Sequence, residues 1–276
     1  MCRWIAYSGE PIFIEQIVTL PKHSLVEQSI NAEMNYNAEG ALLSVNADGF
    51  GVGWYGERED PGLFRDATPA WSDENLRQIC HQIKSGLFFS HVRARTTGPV
   101  QKTNCHPFKY KNWLFQHNGG VNNFEVMRQD LNEDIAPALY LHLKGTTDSE
   151  TIFLLALTYG LMDDPQKAME KVVKRLRQAA DDQNVKFIMN LSCSISNGDK
   201  IWTVRYSENE PPMTQFYSKK SDWVCDESGN KISQPKSIIL VSEPIDKMNR
   251  EWIEIPQNSF TETKGNKITI EKFIDE

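Results

Sequence analysis

Short apolar runs separated by glycine-containing turns fill the first half of the chain. Residues 2–8, 49–56, 87–93 and 113–117 each have this pattern, which is typical of β-strands bounded by turns. The ends of these strands carry residues that are unusual in a sheet, among them histidine, arginine and asparagine. We therefore expect the reactive side chains to lie at strand ends.

Three segments have the residue pattern of helices, at residues 73–84, 148–161 and 165–182. The last begins with Asp164 as a predicted N-cap and Pro165 at the first helical position, where proline is well tolerated. The middle of the chain is therefore predicted to be helical. The predicted buried face of the last helix consists of Ala168, Met169, Val172, Val173, Leu176 and Ala180.

Strand patterns return in the C-terminal third. Residues 185–196 and 200–207 flank an Asn-Gly-Asp turn at 197–199, which is a strong hairpin signal. Further strands are predicted at 237–243, 251–255, 259–264 and 267–273. Because strands, helices and strands follow one another in blocks, we expect an α+β fold with two packed sheets flanked by helices. No repeat or linker-like composition divides the chain, so residues 1–276 are interpreted as a single domain.

The composition is that of a globular protein, with 39% apolar and 24% charged residues. A net charge of −7 argues against nucleic acid or an anionic membrane as the main partner, because phosphate recognition needs clustered Lys and Arg. The N-terminus lacks the pattern of a secretory signal, and no apolar run reaches the roughly 20 residues that cross a bilayer. These features predict a cytoplasmic protein that acts on a small molecule.

Five scattered cysteines fit free thiols in a reducing compartment better than a disulfide framework. They are Cys2, Cys80, Cys105, Cys193 and Cys225. Cys2 would become the N-terminal residue once Met1 is removed. An N-terminal α-amine has an ordinary pKa of about 7.7–8.0, against about 10.4 for lysine, so one residue could supply both nucleophile and base. Taken alone, a cysteine at this position is more often accidental.

Three clusters of polar residues give this cysteine a context. Arg93, followed by Thr96, ends a strand and can bind a carboxylate through paired hydrogen bonds, although a structural ion pair is the alternative. Asn118 and Gly119 end another strand and offer the N–H donors of an oxyanion hole, although Asn-Gly is also a turn signal. Asp148 could bind an ammonium group or simply cap a helix. Together these groups describe a pocket for glutamine.

The sequence resembles the glutaminase domain of the class II glutamine amidotransferases, which are N-terminal-nucleophile hydrolases. The matching segments, in order, are MCRWIAYSG at 1–9, DGFGVGWY at 48–55, SHVRARTTG at 90–98, NCHPF at 104–108, HNGG at 117–120 and TDSE at 147–150. Their joint order is far more specific than any one of them. The segments at 238–246 and 251–256 resemble the stand-alone branch of the family, which includes enzymes of ergothioneine synthesis and glutathione breakdown that act on γ-glutamyl compounds.

The resemblance implies a four-layer αββα sandwich and a role for each matching residue. Cys2 would be the nucleophile, and Asn118 and Gly119 would form the oxyanion hole. Arg93 would bind the substrate α-carboxylate with support from Thr96. Asp148 would bind the α-ammonium, and Gly120 would keep the backbone open. His91, His106 and His117 would form structural hydrogen bonds and would not act as catalysts. No metal or organic cofactor is expected. The amino-sugar members carry Trp and His where this chain has Ala94 and Thr97, so the pocket must differ in detail.

Two enzymatic functions remain open at this level. The chain could be a glutaminase that hands ammonia to a separate partner subunit. It could instead hydrolyse a γ-glutamyl amide or peptide larger than glutamine, by itself or with a peptidase partner. A catalytically silent binding or regulatory protein of the same fold is the alternative from another class.

A metal site and a phosphorylation site are two further hypotheses that the residue pattern does not favour. Cys80-His81 and Cys105-His106 contain metal-ligand residue types, but their spacing does not match that of a zinc site. The Ser-Glu-Pro sequence at 242–244 could be a phosphorylation site, but it follows an apolar strand and is better explained as a structural turn.

Overall fold

The computed structural model describes residues 2–34, 42–96, 98–218, 223–225, 228, 231–233, 236–246 and 252–275. Its strands are β1 (Arg3–Phe13), β2 (Phe50–Trp54), β3 (Gly62–Asp66), β4 (Lys84–Val92), β5 (Phe108–Tyr110), β6 (Trp113–Val121), β7 (Met189–Ser196), β8 (Ile201–Glu208), β9 (Phe216–Ser218), β10 (Trp223–Cys225), β11 (Lys231–Ser233), β12 (Ser237–Val241), β13 (Trp252–Glu254), β14 (Ser259–Lys264) and β15 (Lys267–Lys272). Its α-helices are α1 (Glu15–Val18), α2 (Leu25–Ile30), α3 (Glu74–Gln82), α4 (Phe124–Glu133), α5 (Pro137–Tyr140), α6 (Asp148–Thr158) and α7 (Pro165–Asp182).

Two antiparallel sheets form the centre of the molecule. The first has the strand order β13-β9-β12-β1-β4-β2-β3, and the second has the order β15-β14-β8-β7-β6-β5. Strands β10 and β11 pair with each other in a separate hairpin. The central strand β1 of the first sheet begins next to Cys2, and β6 of the second sheet carries Asn118.

The alternation of side chains along β1 shows how the layers are stacked. Trp4 and Ala6 lie in an apolar core that also contains Leu114 of β6, so this core fills the space between the sheets. Ile5 and Tyr7 point the other way, into a core shared with α1, α2 and α3. Helices α4, α6 and α7 cover the outer face of the second sheet. The result is an α+β fold, as the order of elements predicts, and the αββα sandwich that the family resemblance implies.

Most long elements lie where the hydrophobic pattern predicts them. Helix α7 begins at Pro165, and the Asp164 carboxylate accepts a hydrogen bond of 3.1 Å from the Lys167 N–H, as an N-cap does. All six residues of its predicted apolar face are fully buried. Strands β7 and β8 form the predicted hairpin, with Ser196 paired to Ile201.

The residue pattern does not predict several elements, among them α4, and three further departures have a clear physical reason. Strand β6 continues beyond His117 to Val121, because its last residues pair with β7 and do not form a turn. The N-cap of α6 is Thr147, whose hydroxyl accepts from the Glu150 N–H at 3.2 Å, so Asp148 is the first helical residue and not the cap. Helices α1 and α2 have only four and six residues, too few for a helical period to stand out in the sequence.

Candidate active site

Cys2 lies at the edge of the space between the two sheets. It precedes β1, and the alternation of that strand places Cys2 on the same face as Trp4. Its side chain is partly buried, with Sγ 3.6 Å from the carbonyl oxygen of Ala94. Arg3 pairs with Val92, so Cys2 sits where β4 ends and the chain leaves the sheet.

Arg93 occupies this end of β4. Its side chain is 3% exposed, and its Nη1 donates to the carbonyl oxygens of Pro99 at 3.3 Å and Asp48 at 3.5 Å. The Arg93 N–H donates to Gly49 at 2.7 Å, which ties the residue to the start of β2. A buried guanidinium is thereby held next to the nucleophile candidate.

The loop after Arg93 leads to the surface. Thr96 is exposed on it, and the departure from the amino-sugar pattern at Thr97 lies outside the described residues. Gly98 has a φ of +66° and packs against Thr146, so the loop turns back towards the segment before α6. Within the described residues, no hydrogen bond joins Thr96 to Arg93.

Asn118 and Gly119 lie within strand β6 and face β7. Asn118 is paired with Ser192 and Gly119 with Leu191. The Asn118 side chain is fully buried, and neither its Nδ2 nor its Oδ1 has a hydrogen-bond partner within the described part of the chain. Because buried amides are almost always paired, an unpaired one marks a group that is available to a ligand.

Gly119 could not be replaced without moving the backbone. Its φ is +150°, and an added Cβ would overlap the carbonyl oxygen of Asn190. The residue after it, Gly120, is less constrained, since a Cβ there would lie 3.6 Å from Oδ2 of Asp148. This second glycine therefore brings the end of β6 next to the predicted ammonium-binding carboxylate.

Asp148 is buried at the start of α6, with 4% of its surface exposed. Its Oδ2 accepts from the Val121 N–H at 2.9 Å, and its Oδ1 accepts from the N–H of Ser149 at 2.7 Å. The Ser149 hydroxyl lies 2.9 Å from Nδ1 of His117. These bonds lock the carboxylate against the last residues of β6, which also carry Asn118.

The three histidines of the sequence motifs form a buried, uncharged group. His91 Nε2 donates to the carbonyl oxygen of His117 at 3.1 Å, and its ring lies 4.2 Å from that of His106. Burial lowers the pKa of His91 to about 3. Burial also lowers the pKa of His106 and that of His117, although the Asp148 charge opposes the shift at His117. The three rings are therefore neutral at pH 7.

Strand register and the contacts of His91 and Gln116 relate the start of β1 to the end of β6. Trp4, two residues after Cys2 and on the same face, pairs with His91, and His91 donates to the carbonyl of His117, which precedes Asn118. Gln116 also links the sheets, because its Nε2 donates to the Ile5 carbonyl at 2.9 Å. The thiol and the unpaired amide thus face the inter-sheet space, and the Asp148 carboxylate lies at the end of β6, where α6 begins.

Sequence reasoning missed two buried charged residues beside Cys2. Arg3 is 1% exposed and forms a 2.8 Å ion pair with Glu243, which is 2% exposed. The signal was present, because an arginine inside an otherwise apolar strand must find a buried partner.

Two further properties concern only the described residues. They contain no group of three or more His, Cys, Asp or Glu side chains placed to hold a metal ion. None of their helices is both long enough and apolar enough to cross a membrane.

Comparison with known sequences gives a consistent result. The sequence profile described as class-II glutamine amidotransferases matches residues 17–271. A probable glutamine amidotransferase of Saccharomyces cerevisiae is 31% identical over the whole of this chain and 85% of its own length. The gamma-glutamyl-hercynylcysteine sulfoxide hydrolase of Mycolicibacterium smegmatis is 21% identical, over 98% of this chain and 99% of its own.

Solved structures agree with this. A glutamine aminotransferase class-II domain protein from Silicibacter pomeroyi is 31% identical and superposes with a TM-score of 0.71. The match includes 99% of this chain and 100% of the other chain. Glutamine phosphoribosylpyrophosphate amidotransferase from B. subtilis shares the fold at 12% identity, with a TM-score of 0.64 over all of this chain and 50% of its own.

Proposed function

This chain belongs to the class-II glutamine amidotransferases, and we propose that it cleaves the γ-amide bond of glutamine or of a γ-glutamyl compound with Cys2 as the nucleophile. Removal of Met1 is part of the proposal, because it frees the α-amine that serves as the base. The observation that carries the proposal is the buried, unpaired amide of Asn118 next to the obligatory glycine at 119.

The chemistry follows from these groups. The Cys2 sulfur attacks the carbonyl carbon of the γ-amide, and the resulting oxyanion accepts hydrogen bonds from Nδ2 of Asn118 and the N–H of Gly119. The α-amine passes the thiol proton to the leaving nitrogen, which departs as ammonia or an amine. Water activated by the same amine then hydrolyses the thioester and releases glutamate.

The two ends of the glutamyl group are assigned to opposite charges. Arg93 binds the α-carboxylate through its guanidinium, and the carboxylate of Asp148 binds the α-ammonium. Thr96, on the loop after Arg93, supports the carboxylate with its hydroxyl. Supporting this assignment, Arg93 and Asp148 are both buried at the edge where β4 and β6 end.

Two substrate classes differ in the group attached to the γ-nitrogen: glutamine carries only hydrogen there, and other γ-glutamyl compounds carry a larger group. One relative acts, by its name, on a γ-glutamyl derivative larger than glutamine, which supports a hydrolase of γ-glutamyl compounds. Family membership equally supports release of ammonia to a separate partner. A cytoplasmic location belongs to the same proposal and is supported by four free thiols among the described residues.

The test is glutamate release from glutamine and from a panel of γ-glutamyl amides and peptides, using protein whose N-terminus has been verified by mass. Glutamine turnover alone would identify an ammonia donor, and turnover of larger compounds alone would identify the hydrolase. Cys2→Ala should be inactive. Absence of turnover with every compound would contradict the proposal, and full activity with Met1 retained would contradict the role of the α-amine.

A further inference from the structure

We propose that Glu243 is a positioning residue for the nucleophile, acting through Arg3 to fix the peptide group of Cys2. The inference rests on the proposed function, since it concerns the same nucleophile. It assigns a role to the Ser-Glu-Pro segment, which the reaction itself does not use.

The register of the first sheet brings Arg3 and Glu243 together. Ile5 pairs with Val241 in the antiparallel ladder of β1 and β12, so two residues further along Arg3 stands opposite Glu243 on the same face. The Ser242 N–H donates to the Trp4 carbonyl at 3.0 Å, which extends the pairing beyond the end of β12. Two segments separated by 240 positions are therefore held side by side at the start of β1.

Arg3 connects the carboxylate to the nucleophile. Its Nε donates to Oε2 of Glu243 at 2.8 Å, and its Nη1 donates to the carbonyl oxygen of Cys2 at 2.9 Å. The planar guanidinium can make both bonds at once because its N–H groups point in fixed directions. Fixing the guanidinium on Glu243 therefore fixes the plane of the Cys2–Arg3 peptide.

The Cys2–Arg3 peptide is the only backbone link between the nucleophile and the rest of the fold once Met1 is removed. After Met1 is removed, Cys2 has no preceding residue, and its Cα is attached to the fold only through its own carbonyl group. A carbonyl that swings would carry the thiol and the α-amine with it. The hydrogen bond from Arg3 thus restricts both reacting groups at once.

Glu243 is itself held from four directions. Besides Arg3, its carboxylate accepts from His23 Nε2 at 2.6 Å and from the N–H groups of Glu33 at 2.8 Å and Met34 at 3.0 Å. Burial opposes the charged form, but the bond from His23 and the charge of Arg3 still hold the pKa of Glu243 below its usual value. A fully bonded carboxylate is a rigid anchor, and it is charged at neutral pH.

Stability alone does not account for the pair. Nη2 of Arg3 is buried and has no partner in the described chain, and burial lowers the pKa of Arg3 although the Glu243 charge opposes this. A buried ion pair with an unsatisfied donor is often no more stable than apolar residues of similar size. The feature that an apolar pair could not reproduce is the bond to the Cys2 carbonyl.

The same geometry argues against the alternative role of this segment as a phosphorylation site. Ser242 is fully buried, and its hydroxyl accepts from the Trp4 N–H at 2.9 Å. A kinase could reach it only if β1 were displaced from the sheet.

The test compares Glu243→Gln, Arg3→Lys and the double variant by steady-state kinetics on the best γ-glutamyl substrate. Lysine keeps the charge of Arg3 but cannot bridge two acceptors with fixed geometry. We expect kcat to fall about 10- to 100-fold with KM changed by less than about threefold, because a misplaced nucleophile slows chemistry more than binding. The double variant should lose no more than the worse single variant, because both act through one contact.

A stability control separates positioning from general damage. Leu176→Ala removes a fully buried side chain from α7, on the outer layer of the other sheet, and should lower thermal stability while leaving kcat unchanged. Unchanged kcat in folded Glu243→Gln, or a loss confined to KM, would overturn the inference.

A crystal structure of Glu243→Gln provides a readout that does not depend on turnover. We expect the Cys2 carbonyl to leave Nη1 of Arg3 or to occupy more than one position. A single, wild-type position for Cys2 would refute the positioning role. If the wild-type protein turns over no γ-glutamyl compound, the proposed function fails, and this structural result still decides the inference about Glu243.

Discussion

At the scale of single residues, Asn118 is the clearest sign of a reaction site. Most buried polar side chains serve the fold by pairing with a neighbour, but both polar atoms of this amide lack a partner among the described residues. Leaving a buried amide unpaired costs free energy, so this side chain does not stabilise the fold. The proposed oxyanion would supply the hydrogen-bond partner that this amide lacks.

Asn118→Ala should separate activity from stability. We expect kcat to fall about 10²- to 10³-fold, the usual effect of removing one oxyanion donor. The free energy of unfolding should change little, because no hydrogen bond is lost and the relief of an unpaired buried amide offsets the packing lost with the side chain. Asn112→Ala is the matched control, since Nδ2 of Asn112 donates to the Asn197 carbonyl at 2.9 Å. It should lose about 1 kcal/mol of stability and keep its activity. Urea unfolding and glutamate release test both variants, and full activity of Asn118→Ala would remove the oxyanion assignment.

Asp148→Asn tests the binding of the substrate ammonium. The amide oxygen can still accept from the Val121 N–H, but the negative charge is lost. A charge-assisted hydrogen bond contributes about 1.5–3 kcal/mol, so KM for glutamine should rise about 10- to 100-fold. The matched substrate is 4-carbamoylbutanoate, which lacks the α-amine and should show the same KM with both proteins. An equal rise for both substrates would assign Asp148 a purely structural role.

At the scale of elements, the end of β6 shows where sequence patterns are informative and where they are not. The Asn-Gly pair predicted either a turn or an oxyanion hole, and the structure places it in a strand because β7 pairs with it throughout. Local propensity cannot reveal a partner strand about 70 residues away, whose pairing overrides the turn signal. The amphipathic period of α7 could be predicted because it depends only on the residues of that helix.

The same contrast holds for the site. Cys2, Arg93, Asn118 and Asp148 could be picked out because they lie in motifs whose joint order resembles a known family, although each of them alone has a commoner explanation. The ion pair of Arg3 could not be assigned, since its partner is fixed by the register of β1 against β12.

Gly119→Ala tests the close approach of β6 to β7. A side chain at this φ is strained by about 1–3 kcal/mol, and its Cβ would also overlap the Asn190 carbonyl. We expect lower stability and lost activity, because the two strands must separate where the proposed oxyanion donor lies. Gly265→Ala is the control for strain alone, since Gly265 has a φ of +58° and open space around it. It should lose stability only, and equal effects of the two variants on kcat would contradict the argument.

At the scale of the whole molecule, the two sheets enclose charges and imidazole rings that a single sheet could not shield from water. The layers place His91 and His106 in the inter-sheet region, and both are fully or nearly fully buried. The stability of the sandwich is therefore linked to pH through groups that the reaction does not use.

The sign of this linkage follows from the lowered pKa values. Unfolded histidine has a pKa of about 6.5, whereas burial holds the pKa of His91 at about 3 and that of His106 well below 6.5. Between these values the unfolded chain binds more protons, so stability is present above pH 6.5 and is lost as the pH falls. Each ring contributes a slope that approaches about 1.4 kcal/mol per pH unit below pH 6.

His106→Gln isolates one such contribution. Neither ring nitrogen of His106 has a hydrogen-bond partner in the described part of the chain, so the substitution removes a titrating group without breaking a bond. Urea unfolding at pH 5.0, 6.0 and 7.0 should show a shallower loss of stability in the variant than in the wild type, by up to about 1.4 kcal/mol per pH unit. The comparison cancels every other titrating group, because both proteins share them. Parallel stability curves would mean that His106 takes up a proton in the folded state as readily as in the unfolded one, and the sandwich would then have to admit water to its centre.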